Sequence, residues 1–134
     1  MIDHHTALIY TMVLASAADS NMTDAELKRI GEIVSHLPIF TDFDPGQLPK
    51  IASDCAELLD DEQGLENAFE LIRDALPEHL RETAYALACD VVAADGKASQ
   101  EELRLLELLR HAIGVGRLPA AAIERGAAAR YATP

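Results

Sequence analysis

Asp19, Asn21 and Glu26 stand around one bend of this chain, and Asp95 and Glu102 stand around another. Oxygen donors beside the start of a helix are the ligands that hard divalent cations take. These five side chains therefore form the candidate metal set, with Ca²⁺ or Mg²⁺ expected rather than Zn²⁺. The pattern stops short of a calcium EF-hand, whose loop is longer, carries a mid-loop Gly and ends in a bidentate Glu; here Asp19 and Glu26 are only seven residues apart. A purely structural account competes at every position. An Asp that follows a helix can accept hydrogen bonds from the loop's own amides, and Glu26 and Glu102 each stand three residues after a Thr or Ser, the spacing of a capping box.

The two bends are copies. Asp19 to Asp95 and Glu26 to Glu102 are the same 76 residues apart, and the apolar stripe Leu27, Ile30, Ile33, Leu37 stays in phase with Leu103, Leu106, Leu109, Ile113. A gap-free match of this length predicts two related helical hairpins packed around one pseudo-twofold axis. Ser20 stands where the second copy has Gly96, so a left-handed backbone suits the second bend better, and the two loops are not expected to bind equally.

Seven helices must position these bends. The first, over residues 3 to 18, is apolar on nearly every side after Thr6 and is expected to be central. Thr23 caps the second, which Pro38 ends; the irregular stretch from Pro38 to Asp44 carries Phe40 and Phe43 as a lid on the core. Asp44, Pro45 and Gln47 open a third helix whose apolar face includes Leu48, Ile51, Cys55 and Leu58. After the acidic turn Asp60, Asp61, Glu62, a fourth runs through Leu65, Phe69 and Ile72. Pro77 opens the fifth, which reaches Ala94 and is the second central helix; Ser99 and Glu102 start the sixth, which Gly114 and Gly116 terminate. Pro119 begins an Ala-rich terminal helix. The chain reads as one all-α domain over 1–134: first repeat about 3–37, insert about 44–76, second repeat about 78–113, terminal helix about 119–131.

Composition agrees with that fold and removes several functions. Only 4% of the residues are aromatic and none is Trp, so the core must be built from thin helices that approach closely. A formal charge of −12 repels phosphate backbones and anionic membranes, and the basic residues form no stripe, which excludes nucleic acid as a partner. Cys55 and Cys89 lie in apolar helical stretches without CxxC spacing and read as reduced core thiols of a cytoplasmic protein. The run Ala7 to Ala18 has no basic residue before it and recurs internally from Ala84 to Ala94, so neither a targeting sequence nor a membrane span is expected.

No catalytic constellation is present. The five histidines are read as surface or helix-dipole residues, with His4 and His5 at a frayed start and His36 and His111 near helix ends. Glu32 with His36 and Glu107 with His111 do not obey the repeat offset, and no paired ExxH, GxSxG, HExxH or phosphate loop occurs. Asp90 is the unusual single residue: it lies inside the apolar run Tyr85 to Ala94, where its repeat partner is Leu14. A carboxylate there needs donors, and Arg81 or an arginine of a neighbouring helix is the expected partner.

The run Ala93, Ala94, Asp95, Gly96, Lys97, Ala98, Ser99, Gln100, Glu101, Glu102, Leu103, following an apolar helix, resembles the signature of the TerB-like proteins, the tellurite-resistance group whose module also occurs in DjlA-type co-chaperones. The resemblance implies a compact all-helical module with an acidic, divalent-metal-binding surface and a role in bacterial stress response or assembly at the inner face of the membrane. Matched position by position, it places Asp95 and Glu102 in the motif, with Asp19 and Glu26 as their counterparts. The leading expectation is thus a non-enzymatic stress-response module that binds a divalent cation through its duplicated acidic loops and acts through a protein partner, with a homodimer allowed and no membrane insertion. The alternative is a pure protein-interaction domain without metal, in which the acidic residues only cap helices and the working surface is an apolar groove near Phe40 and Phe43.

Overall fold

Two helices with almost no polar face must end up inside, and they do so against each other. In the computed structural model, which describes residues 1–17, 22–96 and 98–134, α1 (His4–Ser16) and α5 (Arg81–Ala94) form the most extensive helix contact of the molecule. Every α1 residue from Ala7 to Ser16 is buried, as is the α5 face Ala84, Tyr85, Leu87, Ala88, Cys89, Val91 and Val92. Fully buried Ala7, Ala15, Ala84 and Ala88 keep the pair thin. Thr11 is tolerated in this setting because its hydroxyl donates to the Ala7 carbonyl at 2.8 Å.

The other elements are amphipathic and cover this pair: α2 (Asp24–His36), α3 (Leu48–Leu59), α4 (Gly64–Ala75), α6 (Gln100–Ile113) and α7 (Arg117–Arg130). All seven described elements longer than one turn are α-helices, and none is long and apolar enough to cross a membrane. α3 and α4 pack on α1 and on each other, α6 packs on α5, α4 and α1, and α7 lies along α5. Each fully buried Leu or Ile in this core contributes about 1.5–3 kcal/mol relative to exposure.

Three short 3-10 turns occur, two at helix starts that the sequence assigns to α-helix and one in the irregular stretch after α2. Pro45–Gln47 forms one such turn, capped by Asp44, whose carboxylate accepts from the Gly46 amide at 2.9 Å, and α3 itself begins at Leu48. Glu78–Leu80 forms another, so the helix after Pro77 starts at Arg81. Pro38–Phe40 forms the third and drives Phe40 into the core. Proline opens a turn well because its missing N–H is unpaired there anyway, and the tighter hydrogen-bond pattern finishes what the α-pattern cannot. The terminal helix starts at Arg117, two residues ahead of Pro119, and α1 starts at His4 because Asp3 caps it by accepting from the Thr6 amide at 2.8 Å.

Gly64 is required by proximity rather than by torsion: a Cβ there would stand 2.3 Å from the Leu58 carbonyl, where α4 turns back on α3. Gly114 ends α6 at φ 75°, a left-handed C-cap that brings the Gly114 and Val115 amides onto the Arg110 carbonyl.

Candidate functional site

At the second bend α5 closes on Asp95, and Gly96 takes φ 78°, the left-handed conformation that glycine adopts without steric cost. Ser99 then caps α6 in a reciprocal box: its hydroxyl accepts from the Glu102 amide at 3.1 Å and the Glu102 carboxylate accepts from the Ser99 amide at 2.9 Å. At the first bend Thr23 and Glu26 repeat this box at 3.2 Å and 2.8 Å. Asp19 and Asn21 lie outside the described residues.

The two glutamates are therefore cap residues, and their exposures differ. Glu26 is half-buried, whereas Glu102 is only 3% exposed and faces inward. That corrects the expectation of a second acidic loop presenting both of its carboxylates. Asp95 is exposed and Glu102 is spent on Ser99. A hard cation takes about six to eight oxygens, and among the described residues no three His, Cys, Asp or Glu side chains converge. The described part of the second bend fits a helix cap better than a cation cage.

What the second bend does adjoin is a groove. α5 forms its floor, α6 and α7 its walls, and it encloses about 530 Å³. The bend supplies Gly96 and Ala98 at one end, α5 supplies Val92 and Ala93, and α6 supplies Leu103, which is 47% exposed although its repeat counterpart Leu27 is half-buried against the core. Tyr85, Glu124 and Arg110 close the other end. The Tyr85 hydroxyl donates to the Glu124 carboxylate, which fixes α7 against α5, and burial together with this bond raises the Tyr85 pKa. Burial pushes the Cys89 thiol at the groove floor up to about 12, so it stays protonated and a poor nucleophile at neutral pH.

The groove exists because α7 buries only Ala120 and Ala127, small side chains that hold it close to α5 but cannot reach across to α6. Its residues escaped the sequence reading, although a signal was present. Leu103, Leu105, Leu106, Leu108 and Leu109 make α6 apolar over more than one face, and a helix packed on one side must then leave a leucine in solvent.

The remaining candidates resolve individually. Asp90 finds Arg130 on α7, not Arg81, in a charge-paired hydrogen bond. His5 is not at a frayed start: its Nε2 lies 2.7 Å from the Ile39 carbonyl, and its ring stacks on Phe40 at 5.5 Å and meets Phe43 edge-on. His36 sits at the end of α2, with Nδ1 2.6 Å from the Glu32 carbonyl. Phe40 and Phe43 do line a hollow, of about 540 Å³, together with Val34, His36 and Pro45. Phe40 itself is 4% exposed and Phe43 half-buried, while Pro38 and Pro45 on the same hollow are exposed.

Seven described α-helices, reciprocal caps at the starts of α2 and α6 and an apolar groove beside the second of these define an all-helical module. A family model described as tellurite resistance protein TerB matches residues 5–125, and the chain belongs to that family. No curated protein and no solved structure matches it.

Proposed function

We propose that this TerB-family chain is a non-enzymatic stress-response module, related to tellurite or metal resistance, that works by docking a protein partner in the groove between α5, α6 and α7. One observation carries this reading: Leu103 stays 47% exposed on an otherwise well-packed helix, at the mouth of a groove floored by Val92 and Ala93. Tyr131, 40% exposed, borders the same groove, and an exposed apolar surface shared by several residues is a common mark of an interaction site. Cells challenged with tellurite test it. A Leu103→Asp chain, altered where solvent already reaches, is expected to melt as the wild type does yet lose the tolerance that the intact chain confers; full tolerance with Leu103→Asp overturns the reading.

A divalent cation at the bends is the second reading. It rests on Asp95, exposed beside Gly96, where no described atom lies within 4 Å of the position a Cβ would take, and on the family resemblance. A cation at about 100 times its dissociation constant adds about 2.7 kcal/mol of stability. Titration of the chelated protein with Ca²⁺, Mg²⁺, Mn²⁺ and Zn²⁺ is expected to raise the melting temperature, and Asp95→Ala to abolish the rise. No rise with any of the four ions removes this reading.

A further inference from the structure

We infer that the occupant of the α5–α6–α7 groove is a basic amphipathic helix, about two turns of which seat an apolar stripe over Leu103 and Val92 and lay lysines or arginines against Glu107 and Glu124. This deepens the docking reading above and rests on it.

Length comes first. The groove runs from Tyr85 to Ala93 along α5, eight steps, which at a rise of about 1.5 Å each is about 12 Å of wall, or about two helical turns. α6 and α7 flank α5 there, and a channel between two helices over a third is a shape that receives another helix, whose side chains fall into it at i, i+3, i+4 and i+7. Walls of Leu103, Leu106 and Ala127 offer that stripe a dry contact, and Tyr131, 40% exposed at the bend end, can close over it.

Charge then selects the partner. Both walls carry a carboxylate: Glu107 on α6, its side chain 59% exposed and only loosely paired with Arg104 at 3.8 Å, and Glu124 on α7. The exposed Asp95 stands at the bend end. Of the arginines nearby, Arg130 pairs with Asp90, and Arg110, the one cation among the groove's described lining residues, is held at the Tyr85 end by its bond to the Val115 carbonyl at 3.1 Å, which leaves the wall carboxylates in excess. Around them the whole chain carries −12, a field that draws basic segments in and repels a second copy of itself. The apolar floor and acidic rim together are complementary to a helix with leucines on one face and basic residues on its flanks.

The test uses two synthetic 18-residue peptides with the same leucine stripe, one flanked by lysines and one by glutamates, titrated against the full chain by fluorescence anisotropy and mapped by amide chemical shifts. The lysine peptide is expected to bind and to shift Val92, Leu103 and Ala127. It is expected to weaken about tenfold or more against the double variant Glu107→Gln, Glu124→Gln, in which the new side-chain amide oxygen on α7 still accepts from the Tyr85 hydroxyl; the glutamate peptide is expected not to bind. Equal binding of both peptides in the groove overturns the basic-helix inference and leaves the docking reading standing. If neither peptide shifts a groove residue, the inference falls, and a loss of tellurite tolerance by Leu103→Asp would then still uphold docking of some other partner.

Discussion

The hairpins α1–α2 and α5–α6 begin α2 and α6 with the same reciprocal cap and then meet different surroundings. α6 packs against α5, α1 and α4 and buries Glu102, Leu105, Leu106, Leu109 and Ile113; α2 packs against α1 and two short turns and buries only Ile30 and Val34. The cap is local: it depends on four consecutive residues and survives wherever those four persist. Burial is not local, because it is set by which third helix lies alongside, and α4 lies beside α6. α7 lies along α5, covers it with small side chains and leaves the groove open. A repeated sequence pattern thus retains its helix starts while the later elements cover the two copies differently and leave a groove beside the second.

The largest consequence should appear in the core. Leu109 and Ile33 are repeat counterparts, the first 1% exposed and the second half-buried. Leu109→Ala is expected to cost about 3 kcal/mol through lost burial and the cavity left behind, and Ile33→Ala about 1 kcal/mol, both read from urea unfolding midpoints. Equal losses would mean that the halves are equivalent and that the asymmetry described above is wrong.

Most of the fold was legible because its signals are periodic or local. α1 and α5 announce themselves as runs without a polar face, Thr23 with Glu26 and Ser99 with Glu102 announce helix starts, and all of these are found in place. The short turns at Pro45 and Glu78 were not legible, because proline permits an α-helical and a 3-10 start alike and packing decides between them. The site was legible only in part. Carboxylates can be counted in a sequence, but whether Glu102 faces outward or in depends on what packs over it. The position of Leu103 at a groove depends on the thinness of α7, which lies fourteen to twenty-seven residues further along.

The caps offer a smaller and sharper contrast. Ser99→Ala removes the acceptor for the Glu102 amide in a setting where Glu102 is buried and water cannot easily replace the lost bond, so about 1.5 kcal/mol is expected. Thr23→Ala removes the same bond at an exposed helix end, where water can take its place, and about 0.5–1 kcal/mol is expected. Differential denaturation of the two variants against the wild type checks this. The reverse order would place the better-shielded cap at the first bend.

The smallest expected effect concerns the position at which the two central helices differ most. Leu14 on α1 is 3% exposed, and its counterpart on α5 is Asp90, whose side chain is 21% exposed and paired with Arg130. The Arg130 side chain is 56% exposed, so freeing it strands no buried charge, and an ion pair with one solvated partner contributes under about 1 kcal/mol. Asp90→Leu gives α5 the residue that α1 already has and adds apolar surface where most of the site is shielded, which offsets the lost pair. The net change in stability is expected to lie within about 0.5 kcal/mol, measured by denaturant unfolding, with amide exchange along α7 unchanged because Tyr85 and Glu124 still tie that helix to α5. A loss well beyond that range, accompanied by faster exchange confined to α7, would show that the Asp90–Arg130 pair rather than the alanine contact holds the wall of the groove. The asymmetry between the two hairpins would then depend on one charge and not on packing.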